Sequence, residues 1–469
     1  MAWTLEEILT ATGGSLEGEA KARRFGEIVT DSNKVTTGSV FVALKGEKFD
    51  GHRFVKDAVS RGAACLMVHQ GLRRSQRKDV TTIKVPDTQR GLGDLAHFRR
   101  EQYRPKVLAI TGSNGKTTTK EMLAAILQQA CLDGKPLKGK ILKTQGNFNN
   151  LVGLPMTLLR LRKKHRVAVV ELGTNRPGEI ARLAEIAAPD LAMITSVAAA
   201  HLEGLNSLAG VAKEKGALFS RVRDGGALAV NMDDPWVRRL GKKFDGRKIT
   251  YGQRGQVRAE SGSLIGSGAM RFTLRAGQQR CQVRLHFIGR HNIANAVGAA
   301  AMAHGLGVRL AAIRRGLESV KPYAMRMRVE SWRGVGIIND AYNANPASME
   351  AAIKTLAEIE CHGQRIAVLG DMFELGKHSR LRHLEFGNQL AQARLDCVYL
   401  LGARAPDVRR GALRGGMKPE RIFVGENHSE IGRHLRRHVK KGDWLLVKGS
   451  RGMKMESILL QLKGLEAGE

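Results

Sequence analysis

The sequence predicts an α/β protein built as three domains, over residues 1–104, 105–323 and 324–469. Three observations carry that expectation. A chain of 469 residues is longer than one hydrophobic core ordinarily supports. From residue 105 onward, short apolar runs alternate with helical text, the mark of a mostly parallel sheet covered by helices on both faces. The alternation gives way to a more β-like stretch before residue 290 and restarts after residue 324, which calls for a second doubly wound, Rossmann-like unit.

Taken in order, the first domain opens on a helix signal, Thr4 followed three residues later by Glu7, the pattern of a capping box. Strands are expected at "SVFVAL" (39–44) and "GAACLMV" (62–68), separated by the helical "HRFVKDAVSRG" (52–62). In the second, "VLAIT" (107–111), "VAVVEL" (167–172), "LAMITSV" (191–197) and "ALAVNM" (227–232) are buried strands. The β-like insert "MRFTLRAGQQRCQVRLHFIG" (270–289) then leads into a small-residue helix over 291–307. Five further strands form the last unit: "VGIIND" (335–340), "RIAVLGD" (365–371), "CVYLLG" (397–402), "RIFVG" (421–425) and "DWLLVKG" (443–449).

Composition narrows the class. With 42% apolar residues and 11 prolines, the chain should be globular throughout. No basic segment followed by an apolar one stands at the start and no run of about 18 apolar residues occurs, so a cytoplasmic protein is expected, without membrane insertion. Five cysteines (Cys65, Cys131, Cys281, Cys361, Cys397) are odd in number and widely spaced, which argues against a disulfide framework and against a zinc site. The 77 Lys and Arg against 44 Asp and Glu leave a net charge of +33, an excess that favours polyanionic partners. Yet the bases come as scattered short runs, "LRRSQRK" (72–78), "LRKKHR" (161–166), "VRRLGKK" (237–243) and "HLRRHVKK" (434–441), with no basic tail and no interleaved aromatics. A solvated basic surface is the plainer reading, and no nucleic-acid partner is expected.

One motif carries chemistry. "TGSNGKTTTK" (111–120) follows a buried strand and opens a helix. It departs from the usual phosphate-binding loop, which would need a glycine where Ile110 stands. Gly112 and Gly115 let the backbone fold tightly around an anion that faces the helix N-terminus. Lys116 would neutralise β- and γ-phosphate oxygens, and Thr117 would offer its hydroxyl to Mg2+. The central segment is therefore expected to be a P-loop-like ATPase domain. Glu171 ends one apolar strand, and His201 and then Lys215 follow the next. Ligands of doubly wound sheets bind beyond the carboxyl ends of the strands, so Glu171 and His201 can meet at the loop, where a carboxylate and an imidazole suit a divalent metal. Each also admits a plainer role, Glu171 as a helix cap and His201 as a loop histidine.

Together these segments resemble the Mur ligase family, ATP-dependent amide-forming enzymes of cell-wall synthesis, and the resemblance spans nearly the whole chain. It implies that residues 31–58 belong to a UDP-sugar-binding domain, with Ser32 and "TQGNFNN" (144–150) receiving the substrate through Asn147, Asn149 and Asn150. Gly112, Ser113, Asn114, Gly115, Lys116, Thr117 and Thr118 would hold the triphosphate. Thr117 and Glu171 would serve one Mg2+ and His201 a second, supported by Lys215 carrying a carbamate formed with CO2. Asn292, Asn295 and Arg326 match positions facing the nucleotide, as do Asp340, Tyr342, Asn343 and Asn345, while Asp371, Lys448 and Arg451 would face the incoming substrates.

"ELGTNRPGEI" (171–180), "NDAYNANPASM" (339–349), "VLGDMFELG" (368–376) and "KGSRGMKME" (448–456) resemble the branch that joins D-Ala-D-Ala to UDP-MurNAc-tripeptide. The implied route runs through an acyl phosphate, on a monomer acting on small molecules. A diamino-acid-adding relative, a folylpolyglutamate-type ligase and a nucleic-acid-stimulated ATPase remain as alternatives. The family does not require so basic a surface.

Overall fold

The computed structural model describes residues 2–46, 49–73, 75, 78–266 and 268–465, so parts of the "LRRSQRK" run and of the 31–58 segment lie outside the described residues. The chain divides into two compact units, one comprising 1–109, 140–173 and 179–190, the other 110–139, 174–178 and 191–469.

In the first unit Thr4 caps the helix Leu5–Thr12 as expected: its hydroxyl accepts the Glu7 amide at 3.1 Å and the Glu7 carboxylate accepts the Thr4 amide at 2.9 Å. A five-stranded sheet runs in the order Ser15–Leu16, Thr81–Lys84, Cys65–Val68, Val40–Val42, Ile28–Val29, parallel except at the Ser15–Leu16 edge. Its side chains alternate between two cores. Val40, Val42, Cys65 and Met67 pack with Trp3, Ile8 and Leu92, while Phe41, Leu66 and Val68 pack with Val55 and Ala58. That two-sided burial is why these strands read as unbroken apolar runs. Further along this unit, Ile141–Lys143 pairs in parallel with Val167–Glu171.

The second unit contains the parallel strands Leu191–Ile194, Ala227–Asn231 and Arg247–Tyr251, continued by an antiparallel ribbon of Val257–Ile265, Ala269–Ala276 and Gln279–Leu285. The Val257–Ile265 strand escapes sequence reading because its Glu, Ser and Gly residues leave little apolar alternation. The helix Arg290–Gly305 is lined with alanines that let it lie close to the sheet, and a methyl group on Gly298 would touch Tyr251 and Met193 at 3.3 Å.

All five expected strands of the last segment form, joined by an antiparallel edge strand, Arg328–Trp332. The order is Arg328–Trp332, Val335–Asp340, Trp444–Lys448, Arg365–Gly370, Cys397–Leu401, Ile422–Gly425, with the last five parallel. The final strand of the chain therefore lies between the first and second of the parallel set. This brings Asp340, Lys448 and Asp371 to the carboxyl ends of three adjacent strands.

Among the described residues no helix is long and apolar enough to cross a membrane, and the five cysteines are free thiols. Burial pushes the Cys65 thiol well above its usual range.

Candidate active site

The strand Lys106–Thr111 delivers the chain into the glycine loop, and the helix Lys116–Gln128 leaves it. Gly115 has φ 79°, a left-handed conformation, and a Cβ there would collide with the Asn295 amide oxygen. A Cβ on Gly112 would collide with the Thr195 hydroxyl. The loop is held from outside. Thr195 Oγ1 donates to the Asn114 carbonyl at 2.5 Å, Ser113 Oγ donates to the Ala198 carbonyl at 3.0 Å, and the Ser113 amide donates to the Ser196 carbonyl at 2.9 Å. Lys116 folds back so that its ammonium donates to the Gly112 carbonyl at 2.7 Å, closing a ring around the space the backbone encircles. Gly115→Ala is expected to weaken ADP binding tenfold or more in calorimetric titration, because φ strain and the Asn295 clash together cost roughly 1.4 kcal/mol or more.

Residues distant in sequence gather on the same loop and helix start. Arg326 donates to Thr117 Oγ1 at 3.2 Å while its guanidinium lies 3.8 Å from the Tyr342 ring centroid. It is flanked by Met325 and Met327, both at positive φ, so the backbone is held in a costly conformation that aims Arg326 at the loop. Asn345 donates to the Asn114 side chain at 2.8 Å and caps the helix Pro346–Glu358. Asn295 accepts from Thr119 Oγ1 at 3.4 Å and donates to Asn292 at 3.1 Å. Asn292 itself is 3% exposed and donates to the Ile288 carbonyl at 2.8 Å, so it braces Asn295 behind the loop.

At the adjoining strand ends Asp340 pairs with Lys448, directly opposite in register. Lys448, expected among the substrate-facing residues, is 2% exposed and also donates to the Asn343 carbonyl at 2.9 Å. It thus ties the "NDAYNANP" turn to the sheet. Lys448→Met would leave a mostly buried Asp340 without its counter-ion, and a loss of roughly 3–5 kcal/mol in urea unfolding is expected. Asp371 accepts the Arg404 amide at 3.1 Å, and burial raises its carboxyl above the usual range. Arg451 donates to Glu456 at 2.7 Å and remains half exposed.

Lys215 departs most from a plain sequence reading. The helix Leu208–Gly216, capped by Ser207, carries it inward, and it is 1% exposed rather than solvated. Burial first, then the nearby Lys116 charge, holds its ammonium well below the usual lysine range, with Glu214 opposing. Lys213, two residues before it, falls on the exposed face of the helix and takes no part. Glu214 is occupied in accepting from Thr174 Oγ1 at 3.2 Å and from the Gly178 amide at 2.7 Å.

His201, at φ 54°, opens the short turn Leu202–Leu205, and its Nδ1 lies 2.6 Å from Glu374 Oε2. Contact with His201 and, more weakly, the charge of Lys116 keep the Glu374 carboxyl below its usual range, against the effect of burial.

Within the first unit, Glu171 ends its strand 2% exposed; its carboxylate accepts from Asn149 Nδ2 at 2.9 Å and its amide donates to Thr144 Oγ1 at 3.0 Å. Asn150 accepts the Gly153 amide at 2.8 Å just ahead of the next helix, and Asn147, Phe148 and Asn150 are all exposed. Ser32 is buried in the turn capped by Asp31, and its hydroxyl helps to hold the Asp57 carboxyl below its usual range. Thr195, Ser196 and Glu374 were not anticipated. The first two had a signal, a polar pair closing the apolar strand "LAMITSV"; Glu374 had none beyond its place in "VLGDMFELG".

This arrangement matches known proteins along the full chain. Family models match as the Mur ligase family catalytic domain over residues 24–100, the Mur ligase middle domain over 110–303 and the Mur ligase glutamate ligase domain over 325–451. The UDP-N-acetylmuramoyl-tripeptide–D-alanyl-D-alanine ligase of Escherichia coli is 36% identical over 470 residues, covering 98% of each chain. A crystal structure of MurF from Acinetobacter baumannii superposes with a TM-score of 0.90 at 33% identity, covering 99% of each chain. MurF ligase from Thermotoga maritima, solved in complex with ADP, gives 0.82 at 29% identity over 93% of this chain and 97% of that one. With its glycine loop, its three-part α/β architecture and relatives of this identity over nearly its whole length, the chain belongs to the Mur ligase family.

Proposed function

We propose that the protein is an ATP-dependent ligase that joins the amine of D-Ala-D-Ala to the tripeptide carboxylate of UDP-MurNAc-tripeptide, in peptidoglycan precursor synthesis. The observation that carries this reading is the glycine loop, ringed by Lys116, Thr117, Arg326 and Asn345, in a chain 36% identical to a ligase of that name over 98% of its length. A peptide carboxylate is a poor acyl donor. Its oxygen attacks the γ-phosphorus of ATP, giving an acyl phosphate and ADP; the amine then attacks the acyl carbon and phosphate leaves. Lys116, released from the Gly112 carbonyl, offsets the repulsion between the two anions in the first step. Arg326 steadies Thr117 and adds a second fixed positive charge at the loop. The buried strand ends exclude water, to which an acyl phosphate would otherwise be lost.

Among the described residues no three His, Cys, Asp or Glu side chains cluster into a ready-made metal site. Within the second unit a hydroxyl (Thr117) and an imidazole (His201), with a carbamate on Lys215, are donor types that suit a cation that keeps part of its water and completes its shell on phosphate oxygens, and the family resemblance adds the carboxylate of Glu171. Those four residues would hold two Mg2+ ions, which when bound neutralise charge on the phosphates. Burial of Lys215 beside Lys116 supports carbamate formation, since only an uncharged amine attacks CO2.

The reading places the protein in the cytoplasm, where ATP is supplied, as a monomer without a nucleic-acid partner. The first domain would bind the UDP-sugar, with 1–104, 105–323 and 324–469 as working boundaries. Mass spectrometry of the product from UDP-MurNAc-tripeptide, D-Ala-D-Ala and ATP-Mg tests it: a mass gain of one D-Ala-D-Ala less water is expected. Turnover only with a single diamino acid or glutamate, or ATP hydrolysis only with DNA, would overturn it.

A further inference from the structure

His201 and Glu374 approach each other from different parts of the chain, within the segments matched by the middle-domain and glutamate-ligase-domain models. Both hold left-handed backbones without being glycine, at φ 54° and 62°. Such conformations persist only where the surroundings over-determine them. Here the surroundings are mutual. The Glu203 amide donates to the Glu374 carbonyl at 3.1 Å, and a Cβ on Gly376 would sit 3.2 Å from the Glu203 Cα, so the two turns are pressed together at main-chain level.

The two side chains lie at ion-pair distance, 2.6 Å, with Nδ1 off the line of a regular hydrogen bond; a carboxylate oxygen so close to a ring nitrogen repels a lone pair there, which favours the proton on Nδ1 and the lone pair on Nε2. A histidine that ligates a metal through one nitrogen commonly donates its other N–H to a carboxylate, which fixes the tautomer and makes the ligand more basic. Glu374 Oε2 stands 2.6 Å from His201 Nδ1, the place such a partner takes, and the His201 side chain is 19% exposed against 48% for Glu374.

We infer that Glu374 is a positioning residue for the ion at His201: it holds the imidazole as the Nδ1–H tautomer with Nε2 presented to the metal, and it does so from a different segment of the chain. This rests on the reading of His201 as a metal ligand. It makes metal affinity depend on the docking of the turn at Glu374 against the turn at His201, and by reciprocity a bound ion favours that docking. Glu374 itself touches neither substrate nor ion.

The test uses the full chain with a non-hydrolysable ATP analogue and reads Mn2+ affinity by electron paramagnetic resonance, alongside thermal melting. Glu374→Ala should weaken Mn2+ binding about tenfold or more, within the range for loss of such a partner. Glu374→Gln should weaken it less, since the amide oxygen still accepts from Nδ1–H. Glu374→Ala combined with His201→Ala should bind no more weakly than His201→Ala alone. If His201→Ala loses the ion while Glu374→Ala retains it, or if the two losses add, Glu374 does not act through His201 and the inference is overturned while the ligand reading stands. If His201→Ala keeps full affinity, the ligand reading falls and the inference with it. A lowered melting temperature in Glu374→Ala with unchanged Mn2+ affinity would reduce Glu374 to a strut between two turns.

Discussion

Lys116→Ala should lose roughly a thousandfold or more in kcat, about 4 kcal/mol of transition-state stabilisation, while the protein stays folded. Lys116 is the cation that begins the loop helix, and its ammonium donates to the Gly112 carbonyl, a group that water can satisfy once the lysine is gone. Removing it therefore costs little stability. In the reaction its charge lies where two anions converge, and water offsets that repulsion less well than a fixed ammonium. Single-turnover ADP release and circular dichroism, measured together, check both halves. Near-normal turnover would remove Lys116 from the chemistry.

A comparably large effect is expected at Lys215. Lys215→Ala should lose most activity, and short carboxylic acids such as formate or acetate should restore part of it by placing a carboxylate where the carbamate would be. Lys215→Arg should not restore it, because a guanidinium keeps its charge and cannot carry the carbamate. The pH dependence follows in sign from burial. Lowering the folded-state pKa means that the unfolded chain binds the extra proton more readily, so the unmodified lysine costs stability as pH falls below the ordinary lysine range. Acid also protonates the amine and withdraws it from CO2, so activity that depends on the modification should fall on the acid side and recover with added bicarbonate. Full activity of Lys215→Arg would return Lys215 to a structural role.

Much of the fold is legible in the chain because burial on both sheet faces leaves a local trace. The runs "VLAIT", "VAVVEL" and "RIAVLGD" each form the strand their composition calls for. Strands with one wet face are harder. Val257–Ile265 and Arg328–Trp332 mix Arg, Glu and Ser with few apolar residues, and no local periodicity marks them. At the site, Asn150 and Asn292 show how a residue type can suit two roles. Both are polar residues in substrate-like motifs, yet each spends a side-chain hydrogen bond on nearby main chain, Asn150 on the Gly153 amide and Asn292 on the Ile288 carbonyl.

The sequence by itself determined the phosphate loop, the alternation of strands and helices, and the family to which they belong, because glycine spacing, a lysine at a helix start and unbroken apolar runs act over a few residues. Only the tertiary structure decided which charges meet. Asp340 and Lys448, 108 residues apart, pair because the final strand inserts beside Val335–Asp340, an order that no local pattern encodes. Burial of Lys215 and the facing of His201 by Glu374 are likewise consequences of packing. A pKa or a tautomer depends on what surrounds a group in space, and that is settled only when distant segments fold against one another.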